Sequence, residues 1–222
     1  MEIPVLNMKG QKVGSMTVDE KALGGEVNPA LIKQAFVRYH ANLRQGSART
    51  KSRGMTAGST RKLYKQKHTG NARMGPVRSP IRRGGGHAFA KTKTREEFRL
   101  DMPIKMRRKA NRNALLAKLL DKEVMVIDSL KFAKPGTSVF KGLIEACKIN
   151  RSCLVALRHD NENARLSARN LDDVTVCNSA QLTCYEMLNH RFMVIEKADL
   201  EAWISGPSSH TTKSEPKKKE TA

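Results

Sequence analysis

The sequence predicts an α/β domain of three layers, with a short, mainly parallel sheet flanked by helices, plus a long extended basic loop and a disordered carboxy-terminal tail. Four short runs in the carboxy-terminal half are apolar at every position and alternate with segments of helix length, a pattern typical of a parallel sheet with right-handed crossovers. Residues 44–95 contain no acidic residue, and residues 206–222 are polar and charged. Because the acid-free loop and the polar tail each have too little apolar surface to fold, the globular domain is predicted to comprise 1–43 and 96–205.

A hairpin and a helix are predicted at the amino-terminal end. The stretch IPVLNMKGQKVGSM has apolar residues on both sides of Lys9-Gly10, a dipeptide suited to a tight turn. Asn28 followed by Pro29 is typical of a helix cap and the first helical residue. Apolar residues at 3.6-residue spacing then continue this helix to about Leu43.

A second helix is predicted to begin after Met102-Pro103 and to carry a basic stripe. Four cations follow at positions i, i+3, i+4 and i+7, so they share one helical face with no acid between them. We interpret this stripe as a surface that contacts phosphate, and the alternative is a solvated helix face. The stripe consists of Lys105, Arg108, Lys109 and Arg112.

The carboxy-terminal half supplies the remaining strands and helices. Its apolar runs are rich in β-branched residues, which favours strands, and the segments between them are long enough for crossover helices. The predicted strands are 124–128, 153–157, 174–177 and 192–195. The predicted helices are 138–148, 161–168, 180–189 and 197–204.

The charge distribution predicts a polyanionic partner. The chain has 42 Lys and Arg residues against 21 Asp and Glu residues, and fifteen of the basic residues lie in 44–95. A net charge of +21 repels itself unless a polyanion neutralises it. Nucleic acid is favoured over a membrane, because no apolar run approaches the roughly 18 residues of a bilayer span. The amino terminus lacks the signal-peptide and transit-peptide patterns, which favours a cytoplasmic protein of bacterial type.

The composition of the loop favours folded RNA over duplex DNA. The loop contains eight glycines, two prolines and no apolar periodicity, so it has nothing to bury and is expected to take its order from a partner. A reader of duplex DNA would instead place a helix or finger in the major groove. Tyr64, His68, His87 and Phe89 are candidates for stacking on unpaired bases. For Tyr64 and Phe89, packing against the loop's own base is the alternative.

No catalytic, metal or cofactor site is predicted. The glycine run in RRGGGHAF follows no predicted strand and opens no predicted helix, unlike a nucleotide-binding loop. Asp128 ends a predicted strand, but an acid there is also typical of a loop or cap. The four cysteines lack C-x-x-C spacing and predict buried, reduced thiols. An α/β enzyme acting on RNA and a nucleoid-type DNA-binding protein stay open as alternatives.

The segment YKQKHTGNARMGPVRSPIRRGGGHAF resembles the hallmark stretch of the universal large-subunit ribosomal protein L-four family. Bacterial members of that family read close to W-R-Q-K-G-T-G-R-A-R-x-G-x-x-x-S-P-x-W-x-G-G-G. Flanking pieces agree, namely RQG at 44–46, RRKANRNAL at 107–115 and SARNL at 167–171. The resemblance covers essentially 1–204.

The sequence departs from the family pattern at several positions. His68 stands where the family has glycine and Asn71 where it has arginine, while Tyr64 and Arg82 replace tryptophans. The loss of one arginine and the added imidazole change the set of side chains that the loop presents.

The resemblance implies a structural component of the large ribosomal subunit without catalytic activity. It implies a globular domain bound to large-subunit rRNA at the outer surface of the subunit, and a loop that penetrates the rRNA. The loop tip would help to form the constriction of the peptide exit tunnel. The implied partners are rRNA, neighbouring large-subunit proteins including the other constriction protein, and the nascent peptide in passing.

The resemblance and the basic stripe together give the candidate rRNA-binding residues. They are Arg44, Arg49, Lys51, Arg53, Arg61, Lys62, Lys65, Lys67, Arg73, Arg78, Arg82, Arg83, Lys91, Lys93, Lys105, Arg108, Lys109 and Arg112. The residues implied to lie near the tunnel tip are Lys65, Gln66, Lys67, His68, Thr69, Gly70, Asn71 and Arg73.

Overall fold

Six strands form one sheet in the computed structural model, which describes residues 1–208. The order across the sheet is β2-β1-β3-β6-β4-β5, and every neighbouring pair is parallel except β1 with β2. The mainly parallel sheet is therefore confirmed, and each of the four strands predicted in the carboxy-terminal half agrees with the observed strand to within one residue. The strands are β1 Glu2–Leu6, β2 Lys12–Thr17, β3 Val124–Ile127, β4 Cys153–Leu157, β5 Val174–Asn178 and β6 Phe192–Glu196.

The predicted hairpin is confirmed, and it extends the sheet through β1, which pairs parallel with β3. The Asn7 carboxamide oxygen accepts hydrogen bonds from the backbone N–H groups of Lys9 and Gln11, each at 2.9 Å. Gly10 adopts a φ of +75°, and a Cβ there would lie 2.6 Å from the carbonyl oxygen of Ala146. The turn therefore requires glycine for both its backbone conformation and its close packing.

Helices cover both faces of this sheet. Asn28 caps the first helix as predicted, because its side-chain oxygen accepts a hydrogen bond from the Leu31 N–H at 3.0 Å. The helices are α1 Pro29–Asn42, α2 Ile104–Leu120, α3 Thr137–Ala146, α4 Glu162–Ala168, α5 Cys184–Asn189 and α6 Lys197–Ser205. Each of these helices in residues 1–208 is too short or too polar to span a lipid bilayer.

The helix predicted over 180–189 is divided into two elements. A 3₁₀ turn spans Ser179–Gln181, and α5 begins anew after Thr183. Thr183 and Glu186 form a capping box, in which the Glu186 carboxylate accepts from the Thr183 N–H at 3.2 Å. Because this box satisfies N–H groups that a continuous helix would bond internally, it fixes a new helix start.

Two apolar cores lie on opposite faces of the sheet, which confirms the three-layer arrangement. Alternate residues of β4 contribute to the two cores, with Leu154 facing one and Val155 facing the other. The first core includes residues of α2, α5 and α6, and the second includes Phe140 of α3 together with residues of α4.

The cysteines are free thiols, as the spacing predicts. Cys147, Cys153 and Cys184 are buried, whereas Cys177 is half-buried. Burial raises the pKa of the Cys153, Cys177 and Cys184 thiols to about 12. These groups are therefore protonated and unreactive at neutral pH.

Buried polar side chains anchor α2, the helix that carries the predicted basic stripe. Asn111 is fully buried; its amide donates to the Ser208 carbonyl, and its oxygen accepts from the Cys184 N–H, each at 2.9 Å. Asn113, also fully buried, donates to the carbonyl of Glu26 at 2.8 Å. Lys118 is 7% exposed and donates to the Glu123 carboxylate and to two backbone carbonyls. These bonds fix the rotation of α2 and so the direction of its exposed face.

The chain separates into two units. Within residues 1–208, unit 1 comprises 1–39 and 102–208, and unit 2 comprises His40–Asp101. Unit 2 is wider than the loop predicted over 44–95 because the Asn42 side chain exchanges two hydrogen bonds with the Leu100 backbone, at 2.9 and 3.0 Å. At the other end of the chain, residues 206–208 of the predicted tail lie in unit 1 against α2, and the rest of that tail lies outside the described residues.

Candidate nucleic-acid interface

Unit 2 has no hydrophobic core. In the described residues 40–101, no hydrophobic side chain is buried, and the only helical turns are the end of α1 and a 3₁₀ turn at Glu96–Phe98. Ile81 and Phe89 are 95% and 105% exposed. The absence of apolar periodicity therefore predicts correctly that this segment buries no hydrophobic side chain, and hydrogen bonds rather than a core hold its conformation.

Two arms of unit 2 run antiparallel. Near the base, the Thr50 N–H donates to the Lys91 carbonyl at 2.9 Å, and the Lys91 N–H donates to the Thr50 hydroxyl at 2.7 Å. Farther along, Lys62 pairs with Pro76 in an isolated antiparallel bridge. The arms therefore lead to a turn between 62 and 76, which contains all the predicted tip residues.

The glycine run brings the two arms into backbone contact. The Gly86 N–H donates to the Arg78 carbonyl at 3.1 Å, while the following residue, His87, donates its N–H to the Lys51 carbonyl at 2.9 Å. A Cβ at Gly86 would lie 2.3 Å from the Arg53 nitrogen, and one at Gly85 would lie 1.9 Å from the Ser79 carbonyl oxygen. We call this contact of Gly85 and Gly86 with the backbone at 51–53 and 78–79 the glycine clasp.

The tip contains backbone conformations that suit glycine. Gly70 has a φ of +66°, and His68 has a φ of +65°. An L-residue pays a steric cost of about 1 kcal/mol or more in this region. His68 stands where the family pattern has glycine. The chain therefore keeps the left-handed backbone conformation at this position, and histidine bears the steric cost that glycine would avoid. The hydroxyl of Tyr64 donates to the Ala72 carbonyl across the turn, which favours packing within the loop rather than base stacking for this half-buried residue.

The predicted rRNA-binding cations of unit 2 form an exposed electropositive surface. All of them are exposed except Arg78 and Arg82, which are half-buried. No Asp or Glu occurs between Glu26 and Glu96 to neutralise them. At the base, the Arg44 guanidinium lies 4.8 Å from the centre of the Phe98 ring, which fixes its direction through a cation–π contact.

A concavity of about 310 Å³ lies beside the glycine clasp. It brings together the side chains of Arg53, Thr60, Arg78 and Ser79. The Nε of Arg78 is buried and has no hydrogen-bond acceptor within residues 1–208. Because a buried guanidinium N–H without an acceptor is costly, and because guanidinium and hydroxyl donors suit phosphate oxygens, this concavity is a candidate phosphate site.

A second basic concavity of about 320 Å³ lies on unit 1. It collects all four cations of the predicted stripe, and it adds Lys21 from the 3₁₀ turn Lys21–Leu23, which sequence reasoning missed. Lys21 follows Asp19 and Glu20, so the local charge pattern gave no signal for it. Arg112 is oriented by residues 206–208, because its Nε donates to the Ser208 hydroxyl at 2.8 Å and its Nη2 to the Gly206 carbonyl at 3.0 Å.

Metal ligation finds no support in the described part of the chain. Within residues 1–208, no group of three or more His, Cys, Asp or Glu side chains is arranged to hold a metal ion. Asp128, the acid at the end of β3, is exposed, and its N–H donates to the Leu6 carbonyl at 2.9 Å. Its backbone thus continues the sheet pairing with β1.

Comparison with known proteins gives a consistent result. The profile described as "Ribosomal protein L4/L1 family" matches residues 16–205. The "Large ribosomal subunit protein uL4" of Dehalococcoides mccartyi is 42% identical over 195 residues, which cover 88% of this chain and 92% of that protein. The proteins of the same name from Moorella thermoacetica and Christiangramia forsetii are each 37% identical. These matches cover 88% and 90% of this chain and 93% and 97% of the relatives.

Proposed function

Because the chain belongs to the ribosomal protein L4/L1 family, we propose that unit 2 and the basic concavity on α2 bind large-subunit rRNA through its phosphate backbone. The chain is a structural, non-enzymatic constituent of the large ribosomal subunit in the cytoplasm. The two alternatives, an RNA-acting enzyme and a nucleoid-type DNA-binding protein, are set aside on the same family assignment.

The observation that carries the proposal is the pair of coreless, acid-free arms joined at the glycine clasp. The clasp holds the arms through backbone contacts alone, and all the predicted rRNA-binding cations of the arms except Arg78 and Arg82 are exposed. A polyanion that surrounds the arms supplies the counter-charge that the sequence lacks between Glu26 and Glu96. Folded RNA can surround the arms from several sides at once, whereas duplex DNA is typically read by a helix or finger inserted in a groove.

The turn between Lys62 and Pro76 is the segment that we assign to the peptide exit tunnel. It is the point of unit 2 at which the two arms meet, and it contains the eight tip candidates. At this place the side chains of His68 and Asn71 would face the nascent peptide, and the loop of the other constriction protein would lie alongside. Both side chains are exposed.

The rRNA-binding proposal is tested by filter binding of the purified chain to a large-subunit rRNA transcript, with duplex DNA of the same length as competitor. We expect preferential binding to rRNA and an affinity that falls steeply between 50 and 200 mM salt, by about 10³-fold or more if six or more phosphates are contacted. Equal affinity for the two polymers would refute the RNA assignment.

The tunnel assignment needs a separate experiment. A photoreactive amino acid placed at His68 should crosslink to a stalled nascent peptide in purified ribosomes. The same group at Glu145, an exposed residue of α3 in unit 1, serves as the control and should not crosslink. A nascent-peptide crosslink from both positions, or from neither, would contradict the assignment.

A further inference from the structure

Phe89 is presented to the outside of unit 2 with no protein contact to cover it. Its side chain is 105% exposed, the highest value among the exposed large hydrophobic residues, and its backbone has a φ of +50°. Positive φ is uncommon outside glycine, and a fully exposed phenyl ring gains nothing from burial. The alternative that Phe89 packs against the base of its own loop is therefore wrong.

The backbone on both sides of Phe89 is fixed. The His87 N–H donates to the Lys51 carbonyl at 2.9 Å, and Lys91 and Thr50 exchange hydrogen bonds at 2.7 and 2.9 Å. Between these two anchors, Ala88 and Phe89 form a turn that projects from the arm. The neighbouring residues Ala88 and Ala90 are too small to shield the ring, so the geometry displays both of its faces.

The surroundings identify the partner of this ring. The hydrogen bonds on either side of Phe89 join residues 87 and 91 to Lys51 and Thr50 of the other arm. The charged side chains of both arms are all basic. A basic arm with one exposed aromatic ring has the two elements with which proteins bind single-stranded nucleic acid, namely backbone neutralisation and base stacking. A protein partner with a neutral apolar groove would not use the surrounding cations.

We propose that Phe89 stacks on an unpaired base of large-subunit rRNA. This inference rests on the proposed rRNA-binding function and specifies one contact within it. The ring adds affinity that does not depend on base identity, because every base has a π face. Ile81, the other large hydrophobic side chain in residues 1–208 that is exposed by more than 90%, is aliphatic and cannot stack in this way.

Substitution at Phe89 tests the proposal in the full chain with the same large-subunit rRNA transcript. Phe89→Leu keeps apolar bulk but removes the π face, and we expect it to weaken binding about 5- to 100-fold. Phe89→Tyr keeps the ring and should bind like the parent chain. Thermal unfolding should be unchanged in both variants, because the native ring touches no protein core.

A spectroscopic readout separates stacking from other contacts. In the Phe89→Trp variant, the fluorescence of the introduced indole should be quenched when the rRNA is added. The natural Trp203, which is 5% exposed, contributes background fluorescence that is measured in the parent chain. If Phe89→Leu binds like the parent and Phe89→Trp is not quenched, the stacking proposal is overturned while rRNA binding stands. If Leu is tolerated and only Phe89→Ala loses affinity, the contact is apolar, as with a protein groove, and the proposal also fails. If the parent chain does not bind the transcript, the proposed function itself is wrong.

Discussion

Replacing Gly86 with alanine should separate the two arms of unit 2 at the glycine clasp. The added Cβ would lie 2.3 Å from the Arg53 nitrogen and 2.5 Å from both the Arg53 Cα and the Ser52 carbonyl carbon. All three atoms belong to the backbone, so no side-chain rotation relieves the overlap. Restoring ordinary contact at 3.4 Å requires the arms to part by about 1 Å, and overpacking of this kind costs about 1–3 kcal/mol.

We expect this cost to appear as a loss of rRNA affinity of about 5- to 150-fold at fixed salt concentration. The measurement is filter binding of the full chain to the large-subunit rRNA transcript. Gly54→Ala is the matched control, because that Cβ would meet only the Ser52 hydroxyl at 3.8 Å. Equal affinities for Gly86→Ala and Gly54→Ala would show that the clasp is not needed in the bound state and would refute the reasoning.

Three further outcomes are expected. Lys118→Met leaves two backbone carbonyls without their donor, whereas the Glu123 carboxylate keeps Arg191 at 3.4 Å. The free energy of unfolding should fall by about 1–3 kcal/mol, measured by urea denaturation against the parent chain, and an unchanged midpoint would contradict this. Changing Arg78, Arg82 and Arg83 together to alanine should reduce the slope of log affinity against log salt by about two to three units, and an unchanged slope would exclude phosphate contacts there. The pKa of Cys153 and of two further thiols is raised to about 12, so above pH 9 the native state keeps protons that the unfolded state releases. The free energy of unfolding should therefore fall as pH rises above about 9, by up to about 1.4 kcal/mol per pH unit for each thiol. A free energy of unfolding that does not change over this pH range would contradict this.

The elements with local signals were predictable from the sequence. The Asn28-Pro29 helix start, the turn at Gly10 and the four apolar strands each depend on residues within a few positions of one another, so periodicity and capping rules suffice. The division of the predicted 180–189 helix also had a local signal, because Thr183 and Glu186 have the spacing of a capping box.

The contacts that set the geometry of the candidate interface had no local signal. Gly86 requires glycine because of Arg53, more than thirty positions earlier in the chain. Lys21 reaches the α2 concavity only through the tertiary fold. Asn113 looks like part of a polar helix surface in the sequence, yet it is fully buried and bonded to the Glu26 carbonyl. In each case the partner is distant in sequence, and spacing rules carry no information about it.

In unit 2 the shape of the arms and their charge come from different residues, so the salt dependence of rRNA affinity can tell the two contributions apart. The clasp is made of backbone atoms and glycines, so altering it changes how well the arms fit the rRNA but not how many phosphates are neutralised. The cations of the arms contribute charge without any packed core. Gly86→Ala should therefore lower affinity equally at every salt concentration, whereas the Arg78, Arg82 and Arg83 variant should lose most at low salt, since fewer counterions are released. If both variants changed the slope of log affinity against log salt by the same amount, the clasp would act by positioning the cations. The separate contributions of shape and charge would then be refuted.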